Sequence, residues 1–251
     1  MTERSGVRIS VTTSPSGHLV LSIAGTLDST TYHRVRDNVI KAALEEPPAV
    51  IVDVTDLHAP AVSAWAAFTS ARWHVSAWPD VPVILVCDHA AGRAAIRRSG
   101  ITRYVAVHAD ESAAARSVDE PHALRRRVRT VIHPGPGCLG HARTLLTQWL
   151  AVWDRSDMAL TARTVATILI ENTLEHTASS PTLILDAIED RVTVAVSDES
   201  TKPAARQEDS TTGAHTVSGL AIVSALSRCW GDSPTAGGKT VWAVLGPENQ
   251  L

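Results

Sequence analysis

The chain has 251 residues, of which 44% are hydrophobic and 20% charged, and its net charge is −3. That length fits one large domain or two ordinary ones, and that balance excludes disordered and collagen-like chains. The charge divides evenly between the halves, so neither carries the basic excess that binding a nucleic-acid backbone needs.

In chain order, "VRISVTT" and "HLVLSIAG" alternate like strands around the turn "SPSG". "STTYHRVRDNVIKAALEE" then carries apolar residues at helical spacing behind the cap-type residues Asp28 and Ser29. "PAVIVDVTDL" and "VPVILVCD" are short β-branched runs of the kind buried on both faces of a sheet. Between them "AVSAWAAFTSARWHVSAW" predicts a helix, and "AAGRAAIRRSG" predicts another, stopped by Gly100. The first half is therefore expected to be an α/β domain. After "HADESAAARSVDEPHA" the composition turns polar and small with a proline, which places a boundary there: a domain over 1–118, a linker over 119–124 and a second domain over 125–251.

The second half predicts a strand ("RTVIHP"), two helices ("LGHARTLLTQWLAVW" and "LTARTVATILIENTLEH"), then strands "TLILDAI" and "RVTVAVSD" around the turn Glu189-Asp190. A polar stretch follows, then the helix "SGLAIVSALSR" and the strand "KTVWAVL". Consecutive helices followed by a hairpin suit α+β layering, with helices on one face of a mixed sheet, better than a doubly wound parallel sheet. The same order discounts "GPGCLG" (Gly135, Gly137, Gly140) as a dinucleotide fingerprint, because a second helix follows where a parallel strand would be required.

The basic run "RRRVR" at Arg125 to Arg129 lies at the expected linker and reads as a solvated face or an interdomain contact. Cys87, Cys138 and Cys229 are odd in number and far apart, and the histidines lack ligand spacing, so free thiols and no metal cluster are expected. Trp65, Trp73 and Trp78 gather around one predicted helix, either as core or as an aromatic binding surface. The charged start lacks the apolar core of a signal peptide, and no apolar run reaches the roughly 18–20 residues that span a bilayer, so a cytoplasmic location is expected.

"GTLDSTTYHRVR", "AVIVDVTDL", "VPVILVC" and "IRRSGITRYVAV", in that order over residues 5–118, resemble the STAS domain of anti-sigma factor antagonists. The resemblance implies a phosphorylatable serine opening the helix after the third strand, which falls on Ser63. Its neighbours depart from the family's Asp-Ser-Ser-Gly pattern: Ala61, Val62 and Ala64 replace the Asp, the first Ser and the Gly. A phosphate there would repel an acidic or apolar partner and so switch binding. A serine in such a place also serves commonly as a capping hydroxyl.

"HARTLLTQWL", "ILIENTLEH", "VAVSDES", "SGLAIVSALSRCWG" and "GGKTVWAVL" resemble, in order and spacing over about 125–246, the anti-sigma factor serine kinases, which are small Bergerat-type ATPases. The resemblance implies ATP or ADP with magnesium, Asn172 holding the metal, Asp198 receiving the adenine amino group, Gly219 against the phosphates, and Lys239 and Thr240 in the last strand's nucleotide contact. An amide oxygen is a fitting hard ligand for magnesium. The family's general-base Glu, four residues before the Asn, is here Ile168. Positions 168 and 172 lie about 40° apart around a helix, whereas Glu171 is turned about 100° from Asn172 and Glu175 lies roughly 10 Å along the axis from 168, so neither acid stands in. Val217 replaces the first Gly of the phosphate segment, and Ser200 replaces the Gly after Asp198.

Together these resemblances imply a partner-switching regulator of a sigma factor: an antagonist half fused to a catalytically degenerate kinase-like half. The expected partners are a sigma factor or a STAS or anti-sigma protein, with a contact between the two halves of the chain, and no nucleic acid or membrane. The alternative is an active ATP-dependent serine kinase acting on Ser63 or on a separate STAS protein. Loss of a general base costs about 10²- to 10⁴-fold in rate, which argues for the binding role.

Overall fold

The computed structural model describes residues 6–119, 125–177, 179–201, 219–235 and 237–251. The chain divides into two compact units, Met1–Pro121 and His122–Leu251.

The first unit runs β1 (Val7–Thr13), β2 (Leu19–Thr26), α1 (Tyr32–Leu44), β3 (Val50–Asp53), β4 (Leu57–His58), a 3-10 turn (Val62–Trp65) leading into α2 (Ala66–His74), β5 (Val83–Val86), α3 (Ala90–Arg98), β6 (Val107–His108) and α4 (Glu111–Asp119). The sheet order is β1-β2-β3-β5-β6, with β4 also on β2, and only the β1–β2 pair is antiparallel. Strand alternation sorts the apolar runs to two sides. Leu21, Val50, Val52, Val83 and Leu85 meet Val35 and Val39 of α1, Phe68 of α2 and Ile96 of α3. Val20, Ile51, Ile84 and Val86 meet Ala114 of α4 on the other side. Cover on both faces is why these strands read as unbroken apolar runs.

Two local expectations change here. Helix α4 occupies residues read as a polar approach to a linker: the Asp110 carboxylate accepts the Ala113 N–H at 2.7 Å, and the alanines behind it favour helix. Of the expected linker, residues 120–124 lie outside the described residues. The cap of α1 is Thr31, not Asp28 or Ser29. Asp28 instead folds the preceding turn by accepting the N–H groups of Thr30 and Thr31, and the hydrogen bond from the Thr30 hydroxyl holds its carboxyl below the usual range.

The second unit runs β7 (Arg126–Val131), α5 (Cys138–Val152), a 3-10 turn (Ser156–Met158), α6 (Ala159–His176), β8 (Thr182–Ile188), β9 (Arg191–Asp198), α7 (Gly219–Leu226), β10 (Cys229–Thr235) and β11 (Gly238–Leu245). Its sheet order is β10-β11-β9-β8-β7, and every neighbouring pair is antiparallel, which corrects the expected mixed sheet. The reason is the parity of the connections. Two helices return the chain to the sheet end it left, so β8 runs opposite to β7, and β11 inserts between β9 and β10, the pair that the single helix α7 would have made parallel neighbours. The helices lie on one face as expected: Leu146 and Leu150 of α5, Val165 and Leu169 of α6, and Val223 of α7 pack on Leu183, Leu185, Val194, Val196 and Ala243.

Strand β7 (Arg126–Val131) begins within the basic run, ahead of the start expected at Arg129; Arg126 and Arg129 are exposed, while Arg125 and Arg127 pair with the buried Asp186 carboxylate. Strand β10 is an element the sequence reading did not predict. Gly137 of "GPGCLG" caps α5 in a left-handed conformation, φ +84, and the next helix is α6, in keeping with its reading as a turn. No described helix is long and apolar enough to cross a membrane, and no group of three or more potential metal ligands occurs among the described residues.

Candidate functional site

Ser63 stands in the 3-10 turn that opens α2, after β3 and β4. The cap position of this turn is Ala61, whose side chain offers no hydrogen-bond acceptor, and Ser63 makes no capping bond. The hydroxyl is exposed and, among the described residues, has no hydrogen-bond partner. Beside it Val62 is 60% exposed. Ala66 and Trp73 are also exposed, and spacings of four and seven residues set Val62, Ala66 and Trp73 on one stripe of the α2 segment. Trp73 is 59% exposed and meets Tyr104 edge to face at 5.3 Å between ring centroids. The other two tryptophans of this region, Trp65 and Trp78, are buried. The sequence offered core and binding surface as alternatives for the three, and the structure divides them.

The strand ends behind this turn are cross-linked. Asp53 accepts the Thr55 N–H at 2.9 Å, and the Thr55 hydroxyl accepts the Asp88 N–H at 3.2 Å. His89 caps α3: its Nδ1 accepts the Gly92 N–H at 2.9 Å, which leaves the proton on Nε2 to donate to the Thr55 carbonyl at 3.2 Å. Arg93 donates to the carbonyls of Cys87 and Asp88, each at 2.7 Å. Burial pushes the Cys87 thiol up, so it stays protonated in this lattice of bonds. The ends of β3 and β5 are thus held together by bonds from several directions.

The second unit assembles a different kind of site. Gly219 opens α7 directly over α6: a Cβ there would lie 2.8 Å from Ile168 Cγ2 and 4.0 Å from Asn172 Oδ1. Asn172 is half-buried, and its amide has no hydrogen-bond partner among the described residues. Asp198 ends β9 opposite Lys239 in the β9–β11 register. Its Oδ1 accepts from the Ser200 N–H at 2.7 Å and from Lys239 Nζ at 2.9 Å, while Oδ2 also lies 2.9 Å from Nζ. The Asp198 and Lys239 side chains are only 2% and 11% exposed. Thr240 is fully buried, and its hydroxyl bonds that of Ser197 at 2.6 Å. Gly238 makes this register attainable, since a Cβ there would fall 1.9 Å from the Asp198 carbonyl oxygen.

The six residues singled out in the second half therefore fall into two groups: Ile168, Asn172 and Gly219 at the α6–α7 contact, and Asp198, Lys239 and Thr240 at the β9–β11 contact. Glu171 and Glu175 are exposed and supply no carboxylate to the Ile168 position. Val217 lies outside the described residues. Sequence reasoning missed that Lys239 would spend its charge on Asp198, a contact set by strand register across 41 positions.

Residues 9–114 match the family model described as the STAS domain. The first unit is a STAS domain. Similar solved structures include an anti-sigma factor antagonist from Mycobacterium paratuberculosis, 16% identical, covering 48% of this chain and 100% of that one with a TM-score of 0.40. Others are RsbS of Moorella thermoacetica in a variant form (12% identical, 45% and 95% covered, TM-score 0.37) and the Bacillus cell fate determinant SpoIIAA in its phosphorylated form (17%, 44% and 99%, TM-score 0.33). No curated protein matches the chain. Within the STAS domain, the matched span takes in β3, the turn with Ser63, and α2.

Proposed function

We propose that the protein is a partner-switching regulator in sigma-factor control, in which the STAS unit docks an anti-sigma factor through the Ser63 surface. The observation that carries this reading is the exposed Ser63 hydroxyl at the entrance to α2, without a hydrogen-bond partner among the described residues and beside the apolar stripe of Val62, Ala66 and Trp73 on a STAS fold. Such a stripe offers desolvation and an aromatic anchor. A phosphoryl group on Ser63 would set a charge of about −1.5 to −2 at its edge and oppose docking of an apolar or acidic partner.

The second unit, in this proposal, is a kinase-like module that binds a protein and transfers no phosphoryl group. Three features support that. Ile168 supplies no base, Gly219 rests on the same Ile168 side chain, and the Asp198 carboxylate is already engaged by Lys239 and Ser200. ATP or ADP with magnesium held through Asn172, Asp198 and Thr240 would have to share the Asp198 carboxylate with Lys239 and Ser200. The fusion raises the effective concentration of each unit for the other to about millimolar, so association within one chain belongs to the same proposal.

The test presents the full chain to a panel of anti-sigma factor kinases by calorimetry. The expected result is a complex that Ser63→Glu weakens at least tenfold and Ser63→Ala leaves intact. Absence of binding across the panel, or equal affinity for the glutamate variant, overturns the docking role. Labelled ATP with magnesium tests the second unit, and phosphate incorporated at Ser63 at an ordinary enzymatic rate, lost in Asn172→Ala, overturns the binding-only role.

A further inference from the structure

We propose that the groove between α5 and α6 binds a phosphorylated polyol, such as a sugar phosphate, with Arg143 and Arg163 on the phosphate and Thr144, Thr147 and Gln148 on the hydroxyls. The groove measures ≈450 Å³ and is lined by Gly140, Arg143, Thr144, Thr147, Gln148 and Arg163. The α5 residues recur at three- and four-residue spacing, so they form one face of that helix opposite Arg163 of α6. This site is independent of the function proposed above.

The charge pattern argues for an oxyanion. Two arginines line the groove and no carboxylate does. Elsewhere the guanidiniums of Arg36, Arg72, Arg125 and Arg228 sit on carboxylates, whereas among the described residues neither Arg143 nor Arg163 has an ion-pair partner. Arg163 Nε is buried without a hydrogen-bond acceptor. A guanidinium offers several N–H donors spaced for two oxygens of one phosphate or carboxylate, and Arg163 lines the groove without an acidic partner to occupy them among the described residues.

The hydroxyls argue for more than a bare ion. Thr144 donates its proton to the Gly140 carbonyl at 3.0 Å and Thr147 to the Arg143 carbonyl at 2.9 Å. Each threonine oxygen therefore turns only lone pairs outward, which repel an oxyanion and accept from alcohols. Gln148 adds an amide that serves either role. The groove is also far larger than a phosphate ion, whose position the arginines would fix, leaving the remaining volume for a hydroxylated carbon chain or ring.

Titration of the full chain with glucose 6-phosphate, ribose 5-phosphate, inorganic phosphate and glucose, followed by calorimetry, tests this. A sugar phosphate is expected to bind at least tenfold more tightly than inorganic phosphate, with no binding of glucose. Arg163→Gln should weaken the sugar phosphate at least tenfold. Arg143→Gln is a second route to the same result should the first variant fail to fold by circular dichroism. Thr144→Val should weaken the sugar phosphate and leave inorganic phosphate unchanged. Asn172→Ala, outside the groove, should change nothing; if it abolishes binding, the ligand sits at the α6–α7 contact and the proposal fails. Equal affinity for phosphate and sugar phosphate, no binding at all, or indifference to both arginine variants also overturns it.

Discussion

Ser63 in the first unit and the Asp198–Thr240 set in the second are polar groups at a helix start and at strand ends, yet they are treated in opposite ways. The Ser63 hydroxyl is exposed, bonds to nothing among the described residues, and has solvent-facing Val62 for a neighbour. Asp198 and Thr240 are buried and satisfied inside their own unit by Lys239, Ser200 and Ser197. A group left open costs the fold little and remains available to a partner. A charge taken out of water and then paired becomes part of the fold, and any ligand must compete with the side chain already there. The difference separates a surface free to meet other molecules from a site whose polar groups have been turned to stability.

The sharpest way to break that comparison is to remove the buried partner. Lys239→Met leaves the Asp198 carboxylate 2% exposed and without its cation. Stranding one member of a buried pair costs about 3–5 kcal/mol, so urea unfolding should show a loss of at least about 3 kcal/mol. The double variant with Asp198→Asn should recover most of it. A loss under about 1 kcal/mol would show that the pair does not hold the β9–β11 end together.

That pair also marks where the sequence stopped being legible. Element order was readable because period-2 runs such as "RVTVAVSD" and the helical spacing of "LTARTVATILIENTLEH" each signal one local structure. Strand β10 was not, because Gly231, Asp232 and Pro234 oppose strand formation, and the segment becomes a strand only by pairing along β11 at the sheet edge. The basic run hid the start of β7, predicted only from Arg129, for a related reason: the Arg125 charge is taken up by Asp186, sixty-one positions away. Candidate residues could be named from motif order, but whether Asp198 faces a ligand or Lys239 depends on long-range register, which local pattern does not carry.

The contact between α6 and α7 gives the next largest effect. Gly219→Ala would set a methyl 2.8 Å from Ile168 Cγ2, and overpacking of this kind costs about 1–3 kcal/mol. Adding Ile168→Ala should relieve it, so the double-mutant cycle should show a coupling of at least about 0.5 kcal/mol. Additive losses would mean that α7 shifts freely over α6. Ser63→Glu is the counterpart in the first unit: the exposed side chain should change unfolding free energy by no more than about 0.5 kcal/mol, however large its effect on partner binding. A larger destabilisation would show that the Ser63 turn is structural and not an open surface.

The smallest expected effect uses a second ion pair of the same unit. Arg228 and Glu248 form a two-bonded pair at 2.6 and 2.9 Å, with both side chains exposed. The guanidinium beside it lowers the Glu248 carboxyl from an ordinary 4.5 to about 2. Because the folded value lies below the unfolded one, the pair contributes above about pH 4.5 and its contribution disappears as pH falls through about 2. Glu248→Gln should therefore lessen the fall in stability over that window and leave the profile at higher pH parallel to that of the parent. Exposure makes the contribution small and open to screening, so the difference between variant and parent should shrink in about 1 M salt. The deficit of Lys239→Met should persist in the same salt, because a buried charge is screened far less. Equal salt sensitivity of the two deficits would place Asp198 in contact with solvent and remove the contrast between its pairing and the openness of Ser63.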